Sequence, residues 1–151
     1  MSEVKDVYAG FLTSKLEEEK GKWLEFGALR VRVARSGGSN KRFKLLLEAK
    51  TRPYQRAIKN DMMDNAVAER IMREVFAETI VTGWETKDAS GEFKKEVLFL
   101  DGTRGPAVVA NFIRAFEEIP ELFNEVQLQA GSLANFRDAV MDANAGNSST
   151  S

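Results

Sequence analysis

The chain has 151 residues, 43% hydrophobic and 30% charged, with a formal charge of −1; that length fits one domain, able to bury about two-thirds of its unfolded surface without covalent staples. It contains no cysteine and no histidine, which excludes disulfides, thiolate metal sites and thiol nucleophiles and removes the commonest general base and zinc ligand. The near-neutral total conceals a split, because residues 30–59 hold ten Lys/Arg against the single acid Glu48, a formal +9, so the rest of the chain carries −10.

The opening MSEVKDVYAGFL mixes charges and lacks a signal-peptide core, and no apolar run approaches the ~18 residues of a membrane span. A soluble product that stays inside the cell is expected. Residues 3–19 read as a modest helix, capped by Ser2, with Val4, Val7, Tyr8, Phe11, Leu12 and Leu16 as a loose apolar stripe and Gly21 as its stop. The period then changes to two. Leu24 and Phe26 alternate with Trp23 and Glu25, and Leu29, Val31 and Val33 alternate with Arg30 and Arg32. Around Gly27 this predicts an antiparallel hairpin with the arginines on its wet face. SGGSN ends the hairpin, and Ser39 or Asn40 caps the next helix.

Phe43, Leu46, Leu47, Tyr54 and Ile58 suit one helical face, with a kink or a break and restart at Pro53. The strongest helix is predicted from Asp64 to Thr82. Its stripe is Val67, Ala68, Ile71, Met72, Val75, Phe76, Thr79 and Ile80, and its outer face carries Glu69–Arg73 and Arg70–Glu74 pairs. Gly83 is read as its stop, with Trp84 folding back on the helix end. A turn at Asp88-Ala89-Ser90-Gly91 and a strand from Glu96 to Leu100 follow. Pro106 and Pro120 are each placed in a first helical turn. The first of these helices directs Val109, Phe112, Ile113 and Phe116 inward. The second carries Leu122, Val126, Leu133 and Val140 in one stripe beside Phe123, Ala130, Ala134 and Met141 in another. Residues 143–151, within ANAGNSSTS, hold no core-forming side chains and are expected to be disordered. The fold class is therefore α+β and mainly α-helical, with amphipathic helices packed together with a small antiparallel β-hairpin in a single domain over residues 1–142.

No motif in this pattern points to catalysis. SGGSN lacks the Lys-Ser/Thr ending of a phosphate loop and follows a hairpin, not a buried parallel strand. DASGE lacks the alternating ligands of a calcium loop and reads as a plain turn. Glu17-Glu18-Glu19 and Glu117-Glu118 diverge around solvated helices and do not converge as an acid–base pair must. No catalytic residue, metal ligand or cofactor is expected. The basic segment could serve a polyanion, but the acidic remainder repels phosphate and Phe43 and Tyr54 suit the core. Its charge instead suits head-to-tail contact between copies of the chain, with Arg30, Arg32, Arg35, Lys41 and Arg42 as the positive patch. The last helix is so broadly apolar that it is either deeply buried, the default reading, or offers Leu122, Val126, Leu133, Phe136 and Val140 as a candidate partner-binding stripe.

The order of hairpin, GGSNKRFKLLLEAKTRPYQRAI, MDNAVAERIMREVFAETIVTGWE and FEEIPELFNEVQLQAGSLANFR resembles the tail assembly chaperones of long, flexible-tailed bacteriophages. The similarity spans Val4 to Asp138 and includes the aromatic-Arg pair Phe136-Arg137; residues 86–105 do not match. The resemblance implies a non-enzymatic protein that keeps the tape-measure protein soluble and helps the major tail (tube) protein assemble around it. It further implies self-association into oligomers, action in the host cytoplasm, absence from the mature virion, and in many members a longer frameshifted form. Neither nucleic acid nor membrane is an expected partner. The alternative is a small nucleic-acid-binding regulator using segment 30–59.

Overall fold

The computed structural model describes residues 21–36 and 40–131. In chain order these form β1 (Lys22–Phe26), β2 (Leu29–Val33), α1 (Lys41–Thr51), a 3-10 turn (Arg52–Tyr54), α2 (Gln55–Lys59), α3 (Asn65–Thr79), β3 (Val81–Lys87), β4 (Phe93–Lys94), β5 (Glu96–Leu98), β6 (Arg104–Pro106) and α4 (Val109–Glu118). A further helix, α5, occupies residues 120–131 at the limit of the described region. The class is α+β and mainly helical, as the sequence patterning predicts, but the β component is larger than one hairpin. β1-β2-β3-β4 form a four-stranded antiparallel sheet, and β5-β6 form a separate ribbon. The helix expected over residues 3–19 and the tail 143–151 lie outside the described residues.

The hairpin forms as its period dictates. Gly27, at φ 74°, opens the two-residue turn, a left-handed conformation that glycine adopts without a Cβ penalty. The register pairs Leu24 with Val31 and Trp23 with Arg32. Leu24, Val31 and Val33 are thereby buried together, and Trp23, Arg30 and Arg32 stand on the opposite face.

α3 starts where expected, with the Asp64 carboxylate accepting from the amides of Ala66 and Val67 at 2.8 and 3.4 Å. Its inner face buries Ile71, Val75, Phe76, Ala77 and Thr79. It stops earlier than predicted, at Thr79, and Val81–Lys87 leaves as β3. The physical reason is the open edge of β2. Its unpaired backbone groups are satisfied by β3, in a register that sets Val31 against Trp84 and Arg32 against Gly83. Gly83 is therefore a strand residue and not a helix stop. Trp84 points into the core, 3% exposed, and does not fold back on the end of α3.

Pro106 differs from expectation in the same way. It closes β6, and the helix begins at Val109 after an extended Val108. Proline is tolerated there because β6 is an edge strand of a two-stranded ribbon. Pro120 does open its helix, as predicted.

The core is one cluster between the inner face of the sheet and helices α3, α4 and α5. A continuous chain of rings runs through it. Phe43 meets Phe76 edge-on at 5.6 Å, Phe76 meets Phe123 at 5.6 Å, and Phe123 meets Phe116 at 4.9 Å. Phe116 then meets Trp84 at 5.8 Å, and Trp84 stacks on Phe112 at 5.2 Å. Such pairs add roughly 0.5–1.5 kcal/mol each beyond area burial, and this chain ties the sheet to all three core helices.

Candidate functional site

The cations of the basic segment fall into two groups. Those on the hairpin are engaged inside the molecule. The Arg30 guanidinium lies between the rings of Trp23 and Phe93, 4.9 and 4.1 Å from their centroids, and its Nε donates to Glu85 at 2.6 Å. Arg32 sits 5.4 Å from the Trp23 ring and donates through Nε to Thr82 Oγ1 at 3.1 Å and through Nη2 to the Thr82 carbonyl at 2.8 Å. Arg35 is only 5% exposed. Of the five residues proposed as a positive contact patch, Arg35 is thus in the interior, Arg30 and Arg32 are half-buried on the sheet face, and Lys41 and Arg42 alone are exposed at the start of α1. The structure does not bring the five together as one surface.

The second group sits on an arm made of α1, the 3-10 turn and α2. Asn40 starts it by accepting the Phe43 amide at 3.1 Å, one of the two N-caps that the sequence offers. No residue of these three elements is buried. The arm is fastened along one flank of α3 by the Phe43–Phe76 contact, by Lys50 Nζ to Glu74 Oε2 at 3.0 Å, and by Arg70 Nη2 donating to Tyr54 Oη at 3.5 Å. Lys44, Arg52, Arg56 and Lys59 project from it into solvent. Among them stand Leu45, 64% exposed, and Ile58, 44% exposed, with Met62 just beyond α2 at 77%. The periodicity gives Leu45 and Met62 no signal and groups Ile58 with Phe43 and Tyr54 on one helical face. The arm packs by too narrow a strip to cover it.

In the described part of the last helix the apolar stripe residues are buried, the default of the two readings. Leu122 and Val126 belong to the core cluster, at 8% and 0% exposed, together with Phe123 and Ala130. They present no surface to a partner. Leu133, Phe136 and Val140 lie outside the described residues. The exposed apolar side chain on the described part of this helix is Leu128.

A groove of about 400 Å³ opens between α3, α4 and α5, floored by Met72, Phe116 and Phe123 and edged by Glu69, Arg73 and Glu117. Glu117 stands 3.9 Å from Arg73, whereas its neighbour Glu118 accepts from Arg114 Nε and from the Leu100 amide, both at 3.0 Å. The two carboxylates serve different elements, as expected of a solvated pair. In DASGE, Asp88 Oδ1 accepts from the Ser90 hydroxyl at 2.6 Å and from the Glu92 amide at 3.1 Å. That turn holds itself together with its own carboxylate. Its hydroxyl donor is the main cause that lowers the Asp88 pKa. Among the described residues no group of three His, Cys, Asp or Glu converges as a metal site, and no helix is long and apolar enough to cross a membrane.

Fold and surface together define a small α+β domain whose accessible features include a cationic, partly apolar arm and a groove of mixed charge. Residues 38–147 match the family described as YdaY prophage protein. The chain belongs to that family and is phage-derived. No curated protein matches it, and neither does any solved structure.

Proposed function

We propose that this prophage protein is a non-enzymatic tail assembly chaperone. It keeps the tape-measure protein soluble and promotes assembly of the major tail protein around it, in the host cytoplasm and without entering the virion. The observation that carries this reading is the arm. Leu45 and Ile58 stand exposed among lysines and arginines on helices that bury none of their residues, and Met62 is exposed just beyond them. Apolar side chains interleaved with charge can cover the apolar face of a long helical partner and still keep the complex in solution. Phage origin and the collinear sequence resemblance point the same way.

The test is co-expression of the full chain with the tape-measure protein encoded in the same prophage cluster. Increased soluble tape-measure protein that co-purifies with the chain is the expected result. Unchanged solubility with no co-purification overturns the reading. The exposed cations Lys41, Arg42, Lys44, Arg52, Arg56 and Lys59 favour one alternative, a small nucleic-acid-binding regulator. That alternative requires salt-sensitive retention on a polyanion column, lost when these residues are neutralised.

A further inference from the structure

We infer that the amphipathic N-terminal segment of this chain, residues 1–20, docks in a cleft along the open edge of β3 and covers it. The inference goes beyond the tail-assembly reading and does not depend on it. The sheet builds the site. β2 pairs one edge of β3 from Val81 to Thr86, but β4 pairs the other edge at Thr86 and Lys87 alone. Beside residues 83–85 that edge meets no strand among the described residues. It borders a cleft of about 440 Å³, floored by Trp84 and Phe112 and walled by Trp23. Gly83 keeps the cleft open, since a Cβ there would stand 2.9 Å from the Trp23 ring.

Three observations commit this cleft to residues 1–20. The first is where the segment joins the fold. Gly21, at φ 91°, lies against the rim of the cleft: a Cβ built on it would be 2.9 Å from Thr82 Oγ1, and Thr82 lines the cleft. A segment tethered there meets its site at an effective concentration on the order of millimolar, well ahead of a dilute free partner. The second is polarity. Val4, Val7, Phe11 and Leu12 belong to the stripe that the sequence pattern sets on one face, and such a stripe is buried against an apolar surface when the chain folds. Residues 3–19 would span about 25 Å as the expected helix. The third is charge. The ionic groups lining the cleft are Arg32, Lys95 and Glu85. Glu85 pairs with Arg30, whereas Arg32 donates to Thr82 and no carboxylate of the described residues forms an ion pair with Arg32 or Lys95. The segment carries five carboxylates against three lysines, and Glu17, Glu18 and Glu19 come just before the tether. Opposite charges at the two surfaces orient the contact. Docking removes Trp23 and the segment's own stripe from water together.

The natural chain has no cysteine, so introduced pairs report proximity cleanly. In the full-length protein, Ala9→Cys, Thr13→Cys or Ser14→Cys, each off the apolar stripe, is paired with Lys95→Cys and treated with a short bismaleimide in dilute solution. A cross-link within the monomer, located by mass spectrometry of the digest, is expected for at least one of the three. The same three positions paired with Glu69→Cys, at the α3–α4–α5 groove, are expected to give none. Adding Val7→Asp/Phe11→Asp should abolish the link to position 95, and Glu17→Lys/Glu18→Lys/Glu19→Lys should weaken it. A cooperative thermal melt of each variant shows that the sheet and helices remain folded. No link to position 95 although both thiols react with a monofunctional maleimide would overturn the inference. So would equal links to positions 95 and 69, links only between two molecules, or a link that survives Val7→Asp/Phe11→Asp undiminished. Because no tape-measure protein is present, failure here and failure of the chaperone reading are separate outcomes.

Discussion

The indole of Trp23 lies directly over the α-carbon of Gly83: a Cβ added at Gly83 would stand 2.9 Å from Trp23 Cη2 and 3.2 Å from Arg32 Cβ. Gly83 has no left-handed backbone angle to explain it, so the requirement is for space across the sheet. Trp23 cannot swing away without giving up its contacts with the Arg30 and Arg32 guanidinium groups. Gly83→Ala is therefore expected to destabilise the fold by roughly 1–3 kcal/mol, the usual cost of overpacking. Urea denaturation followed by tryptophan fluorescence measures both the loss and the displaced indole; an unchanged midpoint and spectrum would contradict the contact.

The same pair of residues shows what a sequence can and cannot reveal here. A glycine after an amphipathic helix signals a stop, whether it is needed for a cap or for a ring in another strand, and only the sheet register distinguishes the two. The hairpin was legible because period two alone decides that Leu24, Val31 and Val33 face in while Arg30 and Arg32 face out. The start of α3 was legible because Asp64 caps locally. The contact surfaces were not. An apolar stripe such as Leu122 and Val126 announces that something covers it, and here the cover is the protein's own core. The exposure of Met62 arises from the absence of a neighbour, which leaves no mark in the residue's own pattern.

Trp84 and Phe116 sit at the centre of the ring chain, and their substitutions separate packing from polarity. Phe116, 1% exposed, has only apolar surface to lose, so Phe116→Ala is expected to cost about 3–5 kcal/mol. Trp84 buries an indole Nε1 that has no hydrogen-bond acceptor among the described residues. Trp84→Phe removes that unsatisfied donor along with part of the ring. Its cost is expected to stay below about 1.5 kcal/mol, in the range of conservative core swaps. Equal losses for the two variants in chemical denaturation would show that Trp84 Nε1 is satisfied.

Two loop carboxylates set an acid limb on stability. Asp88 and Asp101 are held below the ordinary carboxylate range, chiefly by the hydroxyls of Ser90 and Thr103, each donating at 2.6 Å. A depressed folded pKa gives stabilisation that is complete above the unfolded pKa, near 4. It is lost as pH falls through the folded value. Asp88→Asn/Asp101→Asn should therefore be slightly less stable than the wild type near pH 7, with the gap closing as pH falls below about 4. Both sites are exposed, so the gap is small and is best read from paired thermal melts. A gap that is constant with pH would mean that these carboxylates do not titrate against the fold.

Phe43 decides whether the arm is held or free. It is the arm's one aromatic contact with the core ring chain, edge-on to Phe76 at 5.6 Å. The accompanying Lys50–Glu74 ion pair is partly exposed on both sides and contributes at most about 1 kcal/mol. Half-burying a phenylalanine is worth roughly 1–2 kcal/mol, and the edge-on ring contact adds about 1 kcal/mol. Removing both with Phe43→Ala should favour opening of the arm by roughly tenfold or more, since about 1.4 kcal/mol is a factor of ten. Hydrogen exchange should then accelerate across residues 41–59. The amides of β2 and β3, which pair in the sheet interior, should keep their wild-type rates if the arm opens as a local unit. Lys50→Ala, the control, should leave most of the protection in place. If Phe43→Ala instead raises exchange uniformly through the sheet and helices, the arm is part of the cooperative core and is not a separately docked element.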